Sequence, residues 1–228
     1  MNPVEEALAQ GQTSLSEFAA KRLLSGFGMP ICRESLVVDT EGAVTEATRI
    51  GFPVVLKASG STLLHKTEVG GVALNLRTVQ EVQEESRRLL KIPGCEGLLV
   101  QEMVKGEREL VCGLTRDAQL GPCVMFGLGG ILTETLDDAV FRLAPLTGTD
   151  ALEMLQEIRG AKILGPFRGQ SPADRAALSR ILVALGTIAL QYEAIRAIDL
   201  NPVKIRPDGS PVAVDALISL SPMAAARR

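Results

Sequence analysis

Residues 51–76 read GFPVVLKASGSTLLHKTEVGGVALNL, and the interpretation of the whole chain turns on them. The apolar run Val54–Leu56 leads straight into Lys57, the pattern of a buried strand ending in a cation. Small and polar residues follow, then His65, the only histidine in the chain, and Lys66. Gly70-Gly71 opens a second apolar run, Val72–Leu76. Two strands joined by a connector with a lysine, a histidine and a glycine pair can lie over phosphates. Glycine lets main-chain amides approach an anion, and lysine adds a point charge. No G-x-x-x-x-G-K-[ST] run occurs, so this is not a Walker-type loop.

Composition narrows the function classes. With 228 residues, 46% of them hydrophobic, the chain can bury a full core in one or two domains. A net charge of -3 argues against a nucleic-acid or membrane-surface role. An aromatic content of 3%, without tryptophan, offers no stacking platform for bases. The N-terminal MNPVEEALAQGQ is polar and shows no signal pattern. Cys32, Cys95, Cys112 and Cys123 are scattered without a C-x-x-C pair, as expected of small core residues in a reducing cytoplasm.

Further along the chain, punctuation predicts the elements. Ser14-Leu15-Ser16-Glu17 reads as a capping box opening a helix that stops near Gly26–Gly28. An extended piece, Ile31–Val38, and a short helix, Glu41–Ile50, precede the lysine strand. Thr78-Val79-Gln80-Glu81 is a second capping box for a charged helix to about Leu90. Strands are expected over Gly97–Val104, Glu107–Thr115, Pro122–Phe126 and Phe141–Ala144, with a helix over Asp150–Ile158. Ser171 followed by Pro172 predicts a buried helix from Ala173 to about Leu190. The chain closes with a hairpin, Arg196–Ile205 and Pro211–Leu217 around Pro207-Asp208-Gly209. This alternation predicts an α+β layered fold rather than a doubly wound parallel sheet.

Several residues carry two readings. Folding the last hairpin brings Asn201 roughly opposite Asp215-Ala216, with Asp199 on the face of Asn201. Such oxygen donors suit Mg²⁺, yet the same aspartates could simply end apolar strands in solvent. Lys57 is either a phosphate contact or a lysine snorkelling to water. His65 is either a bystander or a nucleophile able to carry a phosphoryl group. Gln101-Glu102-Met103-Val104 is either a sheet edge or a hinge whose main chain reads an adenine. Glu109 is expected to pair with Arg108 or Arg116 on the surface. Arg116 and Arg142 are candidate phosphate contacts. Three glycines among Gly127–Gly130 are read as room for main-chain approach to a ligand, through Gly129 and Gly130.

Taken together, FPVVLKASG, LLHKTEVGGVALNL, LVQEMVKGERELVCGLTRDAQLGP, VMFGLGGI, FRLAPL and DLNPV…VAVDA resemble the nucleotide-binding part of the ADP-forming acyl-CoA synthetases. This ATP-grasp family is related to succinyl-CoA synthetase, and the resemblance runs from about Leu15 to Leu220. It implies an ATP-grasp fold with two lobes clamping ATP or ADP, about 25–105 and about 106–220 with the N-terminal helix. It implies that Lys57 contacts phosphates, that Glu102–Val104 reads adenine and ribose, and that Glu109 lines the pocket. Asn201 and Asp215 would hold Mg²⁺. His65 stands at the family's phosphoryl-carrier position, with the small-residue run Ala58–Ser61 before it read as freedom to swing.

The implied reaction is acyl-CoA + ADP + phosphate ⇌ carboxylic acid + CoA + ATP. Nothing here resembles the family's CoA-binding domain or its first phosphohistidine. A separate α subunit is therefore expected, in an assembly of α2β2 type. Two other functions fit parts of the pattern. An ATP-grasp carboxylate–amine ligase would need no phosphohistidine, and a nucleotide-sensing module of a protein acyltransferase would bind without turnover.

Overall fold

Strand pairing sets the architecture, and every ladder is antiparallel. The computed structural model describes residues 2–60, 63, 69–130 and 138–221. In chain order the first half runs α1 (Pro3–Ala9), α2 (Glu17–Gly26), β1 (Glu34–Val37), α3 (Thr40–Ile50), β2 (Val54–Ser59), β3 (Val72–Leu76), α4 (Val79–Leu89) and β4 (Gly97–Glu102). The second half runs β5 (Arg108–Asp117), β6 (Gly121–Leu128), β7 (Ala139–Leu143), α5 (Gly148–Glu157) and α6 (Arg175–Gln191). Strands β8 (Ile195–Ile205), β9 (Pro211–Ala213) and β10 (Leu217–Leu220) close it. The chain divides into two compact units, Cys32–Val104 and Met1–Ile31 with Lys105–Arg228.

The Cys32–Val104 unit is a four-stranded sheet in the order β1-β4-β2-β3, backed by α3 and α4. Its core joins Ala43, Ala47 and Ile50 of α3 and Val82 and Leu89 of α4 to Val54, Leu56 and Ala58 of β2. Strand β2 is buried at all six positions. Alternation therefore sends Val54, Leu56 and Ala58 into this core and Val55, Lys57 and Ser59 to the other face.

The second unit is a six-stranded sheet, β10-β8-β5-β6-β7 with β9 also on β8. Leu110, Cys112, Leu114, Val124, Phe126, Ile198 and Leu200 face a core shared with Leu178, Leu182, Leu185 and Ile188 of α6. The Cys112 thiol is fully buried there. Burial first, and the Asp199 charge second, push it up to about 12.

Helix starts follow local hydrogen-bond chemistry, with three departures from expectation. Asp39 caps α3, and the Thr78 box closes in both directions on α4. The α2 cap, however, is Ser16 and not Ser14, whose residue bridges to Ser219 in an extended stretch. The neighbouring Leu15 amide donates to the Ile218 carbonyl, so this stretch cannot turn into the helix. Likewise α6 is capped by Asp174, which accepts from the Ala177 amide at 2.9 Å, while the Ser171 amide donates to Pro207. Helix α1, capped by Asn2 with Pro3 at its first turn, lies in a stretch the sequence reading passed over as polar.

The expected second strand of the last hairpin is split into β9 and β10, both on β8. Among the described residues no helix is long and apolar enough to cross a membrane.

The buried thiol yields a test. Alkylation at pH 8 followed by peptide mass spectrometry should leave Cys112 unmodified in the folded chain and modify it in guanidinium, because only the thiolate reacts. The unfolded chain releases this proton near 9.0, before the folded one does. The Cys112 contribution therefore makes stability decline as pH climbs from 9.0 toward about 12.

Candidate active site

Strand β8 carries the oxygen donors. Its residues Ile198, Leu200 and Val203 point into the helix-covered core, so Asp199 and Asn201 project from the opposite face. On one edge of β8, Val203 faces Ala213 and Asp199 faces Leu217. The same register runs through the gap between β9 and β10, so Asp215 falls opposite Asn201. On the other edge, the pairing with β5 shifts by one residue between Leu110 and Cys112, where Asn201 and Pro202 together oppose Val111.

The three candidate ligands are thus brought to one place. The Asp199 carboxyl is open to solvent yet hemmed by neighbouring protein, and that desolvation, followed by the Asp215 charge, raises it above the usual carboxylate range. Among the described residues no three carboxylate, imidazole or thiol side chains converge. The donor set is two carboxylates and an amide, which suits a hard cation that completes its shell with water and phosphate oxygens.

Glu109 stands on the same face of β5. It pairs with Lys204 at 3.0 Å, and neither with Arg108 nor with Arg116 as expected. Cross-strand geometry is the reason: Glu109 and Lys204 are direct partners in the β5–β8 ladder. Lys204 also donates to the Gly106 carbonyl at 3.1 Å. Sequence reading missed Lys204, although its place opposite Glu109 follows once the hairpin register is known.

The glycines of Gly127–Gly130 serve the protein's own packing. A Cβ at Gly127 would sit 2.6 Å from the Asp138 carbonyl, and one at Gly129 would sit 2.8 Å from Leu110 main-chain atoms. At Gly130, with φ of +66°, it would lie 2.6 Å from the Glu109 carboxylate. The end of β6 thus closes onto β5 and seats Gly129 and Gly130 against Glu109.

The arginines have structural employment. Arg116 donates to the carbonyls of Ile195 at 2.6 Å, Tyr192 at 2.9 Å and Ala189, so it caps the C-terminal end of α6 rather than standing open to a phosphate. Arg142 pairs with Glu157. Arg108 is wholly buried and donates to the carbonyls of Ile163, Gly165 and Ser171, at 2.7 Å for the last. Asp138, another residue the sequence did not reveal, accepts from the amides of Arg159 and Gly160, both at 2.7 Å.

In the Cys32–Val104 unit, Lys57 is buried on β2 between Leu99 of β4 and Val72 of β3. The exit of β4 is fixed: Glu102 accepts from the Arg33 amide at 2.9 Å and its own amide donates to the Arg33 carbonyl. The Met103 amide donates to Pro53. Gln101 is buried beside them. Glu102 is therefore an anchor of the connector. His65 and Lys66 lie outside the described residues.

The capping role of Arg116 predicts the outcome of its removal. Arg116→Ala should cost about 1–3 kcal/mol in denaturant unfolding while the affinity for ADP, measured by calorimetry, stays unchanged. Lost ADP affinity at unchanged stability would reinstate the phosphate contact.

Comparison with known proteins fits this geometry. The model of the ATP-grasp domain matches residues 6–220. The beta subunit of ADP-forming acetate–CoA ligase I from Pyrococcus furiosus is 38% identical over 224 residues, covering 95% of this chain and 96% of that one. Two structures of acetyl-coenzyme A synthetase 1 from Ca. Korarchaeum cryptofilum each cover 96% of this chain and 98% of theirs. One, with coenzyme A and Mg-AMPPCP, has its phosphohistidine segment pointing towards the nucleotide binding site (41% identity, TM-score 0.85). The other, with coenzyme A and acetyl-coenzyme A, has that segment phosphorylated in a site I orientation (40% identity, TM-score 0.87). The chain therefore belongs to the ATP-grasp family, in the branch of the β subunits of ADP-forming acyl-CoA synthetases.

Proposed function

We propose that this chain transfers a phosphoryl group between ADP and an α subunit, with His65 as the carrier, in the reaction acyl-CoA + ADP + phosphate ⇌ acid + CoA + ATP. The observation that carries the reading is the single sheet face on which Asn201, Asp199 and Asp215 meet beside the Glu109–Lys204 pair. Phosphoryl transfer asks of a protein mainly position and charge neutralisation, and this face offers oxygen donors for a cation that would supply the second, with Lys204 beside them.

Asn201 and Asp215, with Asp199 beside them, are the residues that would hold Mg²⁺, which when bound neutralises phosphate charge. Glu109 and Lys204 line the nucleotide pocket, with Gly129 and Gly130 seating Glu109. In the Cys32–Val104 unit, Lys57 and Lys66 offset phosphate charge. Gln101 and Glu102 hold the connector, whose Met103–Val104 main chain reads the base. Arg142, already paired with Glu157, makes at most an indirect contribution, and Arg116 makes none.

His65 accepts the phosphoryl group on an imidazole nitrogen and releases it to the ADP β-phosphate. The partner is an α chain bearing the CoA-binding and first phosphohistidine domains. The natural assembly is of α2β2 type, in a reducing cytoplasm that suits cysteines held outside disulfides.

Incubation with γ-³²P-ATP and Mg²⁺, with α subunit added, should give acid-labile, base-stable label on the wild-type chain and none on His65→Ala. Tight ADP binding without label in either chain would contradict the carrier role and favour a sensing module. Full turnover by His65→Ala would favour a carboxylate–amine ligase.

A further inference from the structure

The connection from β2 to β3 has two roots, and the described residues fix both. At the first, Ala58 and Ser59 are strand residues, and the Ser59 carbonyl accepts from the Glu96 amide at 2.8 Å. A Cβ built on Gly60 would overlap the Gly94 carbonyl oxygen, so the chain passes there with room for no side chain. Of the run Ala58–Ser61, read from sequence as freedom to swing, Ala58 belongs to β2, Ser59 and Gly60 meet the Gly94–Glu96 turn, and Ser61 lies outside the described residues.

At the second root, the Ala58 amide donates to the Gly71 carbonyl at 2.8 Å and closes the hairpin. Gly70 then turns out of the strand with φ of +64°. Its carbonyl is taken by Arg88 of α4, whose Nη1 donates at 2.8 Å. Glu85 grips the same guanidinium, at 2.8 Å from Nε and 2.6 Å from Nη2. An i,i+3 pair on an exposed helix face would by itself contribute little. Here the pair orients the third donor edge of Arg88 onto a main-chain oxygen eighteen residues away in sequence.

We infer that Arg88, oriented by Glu85, is a positioning residue for the phosphohistidine step. It pins the Gly70 root while the Gly94 turn holds the Gly60 root, so both described ends of the connection are fixed. The inference rests on the reading of His65 as carrier. Fixing both ends of a connection removes chain freedom that would otherwise be lost when a group carried on it reacts. That restriction is what raises the effective concentration of the reacting group. Arg88 touches neither nucleotide nor phosphate in this account, and it acts through the main chain of Gly70.

The test is the initial rate of His65 labelling from γ-³²P-ATP and Mg²⁺ with α subunit present, over a range of ATP concentrations. Arg88→Ala should slow the saturated rate by about ten-fold or more while the KM for ATP and the melting temperature stay at wild-type values. Arg88→Lys, which keeps one donor for the Gly70 carbonyl, should recover part of the rate, and Arg87→Ala should match wild type. An unchanged saturated rate in Arg88→Ala overturns the inference. So does a rate loss accompanied by equal shifts in KM and melting temperature, since that marks a merely structural residue. Absence of label in the wild-type arm overturns the carrier reading as well, and is recognised because it appears before any substitution.

Discussion

The alignment of β8 with its partner strands β5, β9 and β10 is the constraint on which the candidate site depends. A strand presents alternate side chains to opposite faces, so a slip of one residue would turn Asp199 and Asn201 into the apolar core. The register is held from both sides: Ile198, Leu200 and Val203 are buried among helix side chains, and β5 and β10 fix the ladder edges. The local shift opposite Val111 marks the place where the candidate ligand Asn201 sits, the usual position of a bulge that re-aims a side chain. The split between β9 and β10 falls in the same place. It frees Asp215 from a regular ladder while keeping it opposite Asn201.

The Cys32–Val104 unit follows a different logic, in which rigidity at the base of a segment matters more than the exposure of a face. Lys57 is held in a strand buried throughout, so its ammonium stands on a stem that packing fixes. The connector after β4 is tied by Glu102 to Arg33 and by Met103 to Pro53. Glycine plays two separate parts here: Gly60 permits close approach to another carbonyl, while Gly70 permits a turn.

Much of this was legible in sequence because the signals were local. The Thr78 box, the lysine strand, the β2–β3 pairing and the Asn201–Asp215 apposition follow from capping chemistry, alternation and a Pro-Asp-Gly turn. What sequence could not supply were partners distant along the chain. Ser14 looked like a cap but is claimed by an extended pairing with Ser219, and Ser171 gives way to Asp174 because its amide is taken by Pro207. Arg116 and Arg108 looked like surface charges, yet each satisfies carbonyls more than fifty residues away. The glycines after β6 looked like ligand space and proved to be space for Glu109 and Leu110. In each case tertiary demand for hydrogen-bond partners overrode a correct local pattern.

The central claim is that the register of β8 assembles a divalent-cation and nucleotide site from Asn201 and Asp215. Calorimetric titration of ADP with and without Mg²⁺, on wild type and on Asp215→Ala and Asn201→Ala, measures this most directly. The account predicts that Mg²⁺ tightens ADP binding to the wild type, and that either substitution abolishes this gain without lowering the melting temperature. Mg²⁺-dependent tightening that survives both substitutions would contradict it.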